Sequence, residues 1–235
     1  MRGPARLRTA AALSALSEDG RGLLRQEMTV SQAWLSGLRR RPVIAAIRDE
    51  DGLRMALDSP ATVLFLLSGN LMNIAQLVHR VEREGRFVFV HIDLIDGLAK
   101  DQHGLRWLSE NARPTGIIST RGSVISAART QNLSTIQRVF LLDSQSVLTG
   151  VELAHNVRPD VVEVLPGILP GVIADLVRRN EWPLIAGGLI TSAEHCRDAL
   201  RAGAWGVSTS DPRLWHLDVG LTEPSASRKS LIGTG

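Results

Sequence analysis

Tyrosine is missing from this 235-residue chain, lysine occurs twice and cysteine once. The lone Cys196 excludes an intramolecular disulfide and any cysteine-based metal cluster, and it reads as a small packing residue on a helix. No apolar run approaches the roughly 18 residues of a membrane span, which points to a cytoplasmic protein. With only Lys100 and Lys229, no lysine sits at a strand end suited to a Schiff base, and no serine or cysteine is presented as an obvious nucleophile. The stretch "IAAIRDEDG" after the first apolar run lacks the glycines of a dinucleotide-binding turn. No D-x-D, H-x-H or second histidine accompanies His91, so no metal site is expected. The five tryptophans do not form an interleaved basic-aromatic motif, and no recognition-helix, RRM or KH signature is visible. Positive charge is carried almost wholly by arginine, but the net charge of +3 is small and gives only a weak pointer to polyanions.

What is present is a repeated pattern. Eight short apolar or β-branched runs, "PVIAAI" (42–47), "TVLFLLSG" (62–69), "RFVFVHIDL" (86–94), "GIIST" (116–120), "TIQRVFL" (135–141), "VVEVLPG" (161–167), "PLIAGG" (183–188) and "WGVSTS" (205–210), recur along the chain. Amphipathic stretches such as "NIAQLVHRVEREG" and "GVIADLVRRN" lie between them. Asp49, Ser144 and the Thr191-x-x-Glu194 box are the expected helix starts. Eight strand-helix units predict a compact α/β fold of the TIM type, a (β/α)8 barrel over residues 42–216, with an open eight-stranded sheet as its rival. Residues 1–41 are expected to be a partly flexible extension, with Met28 an alternative start, and 217–235 a disordered tail.

In such a barrel the working residues lie where strands hand over to helices. The seventh and eighth runs end in Gly187-Gly188 and Ser208-Thr209-Ser210, a place and a composition suited to a phosphate group: bare amides, hydroxyl donors and a short following helix. Asp211-Pro212 reads as that helix's cap, although a carboxylate there would repel a dianion. The competing reading is a tight turn and a cap with no ligand. His91, Asp93 and Glu163 are polar groups among apolar neighbours, suited to binding hydroxyls or to acid-base chemistry. Structural pairing of Glu163 with Arg138 on the neighbouring run weighs equally. These features leave two classes open: a ligand-binding protein without catalytic residues, or a barrel enzyme acting on a phosphorylated triose or sugar, with Glu163 or Asp93 as base and His91 as partner.

The segments "PVIAAIRDEDGL", "FLLSGNLMNIAQLVHRVEREGRFVFVHIDLIDGLAKD", "GIISTRGSVISAA", "TIQRVFLLDSQSV", "DVVEVLPGILPGVI" and "PLIAGGLITSAEHCRDALRAGAWGVSTSDPRLW" together resemble the glycerol-3-phosphate-responsive antiterminators, the GlpP family of bacterial glycerol operons. The resemblance covers nearly all of residues 42–215. It implies a compact TIM-type barrel and a regulator without cofactor, in which bound glycerol 3-phosphate promotes action on the leader mRNA of a glycerol-utilisation operon. Carried onto this chain, Gly187, Gly188, Ser208, Thr209 and Ser210 would take the phosphate and His91, Asp93 and Glu163 the glycerol hydroxyls. Arg121 and Arg138 would contact phosphate or RNA, and the basic run Arg39, Arg40 and Arg41 would contact RNA or form a solvated arm. A homodimer stays open. The long N-terminal stretch, the Ser/Lys tail, that basic run and Asp211 depart from the family pattern.

Overall fold

A computed structural model describes residues 30–219. Eight parallel strands close into a barrel in sequence order: β1 Val43–Ile47, β2 Val63–Leu66, β3 Phe87–His91, β4 Gly116–Ser119, β5 Ser134–Phe140, β6 Val161–Leu165, β7 Leu184–Gly187 and β8 Gly206–Thr209, with β8 pairing back onto β1. The rival open sheet is thereby excluded. Each strand lies within the run expected for it, or within one residue of it, and most strand residues are buried on both faces. Such burial explains why runs like "TVLFLL" show no polar alternation.

Strand periodicity sorts the side chains into two cores. Ile44, Ala46, Val63, Phe65, Phe89, Ile118, Ile136, Val161 and Ile185 fill the barrel. Outward residues such as Val43, Leu64, Val88, Ile117, Val162 and Val207 meet the surrounding helices. Those helices are α2 Glu50–Leu57, α3 Ile74–Arg83, α4 Gln102–Trp107, α5 Gly122–Arg129, α6 Ser144–Val157, α7 Pro170–Arg179 and α8 Ala193–Arg201.

A further helix, α1 Val30–Arg40, precedes β1. Its Trp34 and Leu38 are wholly buried and belong to the interior core, with Trp34 edge-on to Phe89 at 4.7 Å between ring centroids. The packed unit therefore begins before residue 42, and part of the expected extension is the plug of the barrel's N-terminal end. The expectation of flexibility for residues 1–29, Met28 included, and that of disorder for 220–235 lie outside the described residues.

Among the described residues after β8, the chain makes a three-residue 3-10 turn, Pro212–Leu214. Trp215 then folds back, donating from Nε1 to the Thr209 carbonyl at 2.8 Å, and it is buried in the outer core. Leu217 and Val219 lean on both outer clusters. Among the described residues, this short segment stands where an eighth helix would otherwise lie. Two helix starts shift by one residue. Asp143, rather than Ser144, caps α6 in a reciprocal box with Ser146, and Ser192, rather than Thr191, caps α8 by accepting from the His195 amide. Asp49 caps α2 as expected.

Candidate functional site

The C-terminal mouth of the barrel is floored by inward side chains from adjacent strands. Arg138 on β5 is paired in register with Glu163 on β6, and its Nε donates to Glu163 Oε2 at 2.7 Å. The other carboxylate oxygen, Oε1, accepts from Ser208 Oγ on β8 at 2.6 Å, over the top of β7. Gly187 lies beneath that bond, and a Cβ there would fall against Ser208 Oγ and within 2.6 Å of Glu163 Oε1. The missing side chain at Gly187 is thus space reserved for the Glu163–Ser208 contact. The next residue, Gly188, has φ of +73°, a conformation that disfavours L side chains, and Leu189 follows with φ of +59°. Among the described residues, no backbone carbonyl accepts from the amides of Gly188 and Leu189.

His91 ends β3 with 3% of its surface exposed. Burial, reinforced by the charge of Arg138 and opposed by Asp93 and Glu163, pulls its pKa down to about 4, so the imidazole is neutral at neutral pH. Its Nδ1 stands 4.0 Å from Asp93 Oδ2 and has no hydrogen-bond partner among the described residues. Asp93 is held by β4: Oδ2 accepts from Ser119 Oγ and the Thr120 amide, both at 2.9 Å. Its Oδ1 makes no hydrogen bond among the described residues, with Arg121 Nε at 3.6 Å above it. A carboxylate oxygen and an imidazole nitrogen that both lack a hydrogen bond among the described residues suit a ligand hydroxyl, which can donate to one and accept from the other.

The structure thus brings together His91, Asp93, Arg121, Arg138, Glu163, Gly187, Gly188 and Ser208. Thr209 is turned the other way by strand alternation. Its hydroxyl donates to the Ile190 carbonyl at 2.8 Å and accepts from the Asp211 amide, so it ties two loops together outside the mouth. The hydroxyl proton of Ser208 is committed to Glu163, whereas Ser210 is exposed at the rim. The turn after β8 is too short to act as a helix end toward an anion. Asp211 caps it, and the Arg213 guanidinium that grips the carboxylate also holds its pKa below the ordinary aspartate value. Repulsion from Asp211 is offset locally by Arg213.

Arg39, Arg40 and Arg41 lie at the opposite end of the barrel, where the Arg39 guanidinium stacks on Trp205 at 3.8 Å. They do not join the mouth. Cys196 is buried in the outer core, and burial raises its thiol pKa to about 11.

Sequence reasoning missed Arg48. It follows β1 at the inward parity of Ile44 and Ala46, is exposed, and has no carboxylate partner among the described residues. Its place two residues beyond Ala46 was the available signal. Among the described residues no cluster of potential metal ligands occurs, and no helix is long and apolar enough to cross a membrane.

Fold and mouth together define a (β/α)8 barrel with a charged, hydrogen-bonding floor at its strand ends. Residues 43–215 match the family described as glycerol-3-phosphate responsive antiterminator. The Escherichia coli (strain K12) protein YgcP is 35% identical over 180 residues, 77% of this chain and 94% of its own. A crystal structure of a glycerol uptake operon antiterminator regulatory protein from Listeria monocytogenes superposes with a TM-score of 0.72 at 34% identity, covering 74% of this chain and 95% of that one. A glycerol uptake operon antiterminator-related protein from Thermotoga maritima gives 0.68 at 29%, over 75% and 99% of the two chains. The chain belongs to the glycerol-3-phosphate-responsive antiterminator family, a family of regulators.

Proposed function

We propose that the protein is a transcription antiterminator of the cytoplasm that binds glycerol 3-phosphate in the barrel mouth and, so loaded, binds the leader mRNA of a glycerol-utilisation operon. The observation that carries this reading is the family match over residues 43–215. The mouth supports it chemically. His91 Nδ1 and Asp93 Oδ1, which make no hydrogen bond among the described residues, suit the glycerol hydroxyls, while the amides of Gly188 and Leu189, the Ser210 hydroxyl and the nearby cations suit the phosphate. Glu163, the base of the enzymatic alternative, has one oxygen on Arg138 and the other on Ser208, so taking a substrate proton would disturb both bonds.

For the effector to gate RNA binding it must favour the RNA-competent state by a difference in free energy. The loops that surround the mouth are the elements able to convert occupancy into shape. Arg39, Arg40 and Arg41, at the far end of the barrel, are candidates for phosphate-backbone contacts. In vitro transcription through a glycerol-operon leader terminator tests the whole reading. Full-length transcript should rise only when protein and glycerol 3-phosphate are both present, and read-through indifferent to the effector would overturn it.

A further inference from the structure

We infer that Arg138 is the group that reads the effector's charge, and that Glu163 and Ser208 are positioning residues acting through it; this rests on the mouth being the glycerol 3-phosphate site. The sequence left Arg138 between a phosphate and an RNA contact, and its surroundings decide for the phosphate. The side chain is only 9% exposed and lies inside the barrel, out of reach of a macromolecule's backbone. A guanidinium has five N–H donors. Here Nε is spent on Glu163, and the two terminal nitrogens have no protein acceptor among the described residues. They form the planar fork that matches a phosphate or carboxylate.

The rest of the cluster fixes where that fork points. Glu163 is wholly buried and is held at both oxygens, by Arg138 and by Ser208, while Gly187 leaves room for the second bond. The Arg138 charge also helps to keep His91 neutral, so the guanidinium acts electrostatically on the hydroxyl-binding side of the mouth. Ser208 and Glu163 therefore have no free donor to offer a ligand. Their contribution is a guanidinium oriented before the ligand arrives, which lowers the ordering cost of binding. On this reading the mouth favours a polyol that carries a phosphate over the same polyol without one.

Titration calorimetry on the full chain with glycerol 3-phosphate, glycerol and inorganic phosphate tests this. Removing Arg138 alone would leave a buried carboxylate unpaired, so the decisive variant is Arg138→Gln with Glu163→Gln, which removes both charges together. It should bind glycerol 3-phosphate about tenfold or more weakly, the range expected for a lost charge-assisted contact, and discriminate poorly against glycerol. Ser208→Ala should weaken glycerol 3-phosphate severalfold without altering glycerol, a selectivity that a merely structural loss would not produce. Arg138→Lys should recover only part of the affinity, keeping the charge but not the fork. If the double variant, folded by circular dichroism, binds glycerol 3-phosphate as the parent does, Arg138 is not the reader. Unchanged selectivity in Ser208→Ala overturns the positioning role. A parent chain that binds no glycerol 3-phosphate removes the underlying site assignment, and this inference with it.

Discussion

Arg138 Nε and Glu163 Oε2 lie 2.7 Å apart on strands that pair these two residues in register, and the carboxylate's other oxygen accepts from Ser208 on β8. Glu163 on β6 thereby links β5, through the buried ion pair, to β8, through a hydrogen bond, around the top of β7. Cutting one end should be costly. Glu163→Ala, which leaves the guanidinium buried without its partner, is expected to lower unfolding free energy by about 3–5 kcal/mol. Ser208→Ala, which removes a bond to a buried charge, should cost about 1.5–3 kcal/mol. Urea denaturation measures both, and losses of a few tenths would contradict the geometry.

A pH dependence follows from His91. Its folded-state pKa of about 4 lies below the ordinary value of 6.5, so between these pH values the unfolded chain takes up a proton that the native state refuses. The stabilisation is complete above pH 6.5 and is lost as pH falls toward 4, amounting to roughly 3 kcal/mol at most. Stability curves of the parent and of His91→Asn should therefore diverge in slope across this window and run parallel above it. Identical slopes from pH 6.5 to 4 would show that the imidazole is not kept neutral.

The helix before the barrel gives a third test. Trp34 is wholly buried against Phe89, so Trp34→Ala should cost about 3–5 kcal/mol. A chain shortened to begin at Pro42 loses α1 and its plug and should not fold stably. Calorimetric melting distinguishes the three.

At the mouth, Gly188→Val tests the amide side of the phosphate site. Positive φ and the 3.1 Å approach of an added Cβ to Leu165 make the substitution strained, and a branched side chain would cover the amides. The variant should melt lower and should lose the thermal stabilisation that glycerol 3-phosphate gives the parent. Ligand-dependent stabilisation retained at full size would place the phosphate elsewhere.

The barrel was legible in the sequence because each strand is a buried apolar run of nearly the right length, and strand count needs no tertiary information. The helix Val30–Arg40 was not, because "VSQAWLSGLRR" reads as an ordinary amphipathic stretch and nothing local reveals that Trp34 and Leu38 enter a barrel's end. The site was half legible. Strand ends located His91, Asp93, Glu163 and Ser208, and neighbouring strands suggested the Arg138–Glu163 pair. Composition could not tell that Gly187 is small for the sake of a carboxylate-hydroxyl contact, or that Thr209 faces away from Ser208 and Ser210. Side-chain parity could have separated those three residues. Partner choice, which binds Asp211 to Arg213 and leaves Arg48 without a carboxylate partner among the described residues, needs three-dimensional structure.

Direct binding of the purified full chain to a glycerol-operon leader RNA, across a salt series with and without glycerol 3-phosphate, tests the central claim. The account predicts measurable affinity that falls with salt and tightens when the effector is present. Affinity that is immeasurable in both conditions, or unchanged by the effector, would contradict it.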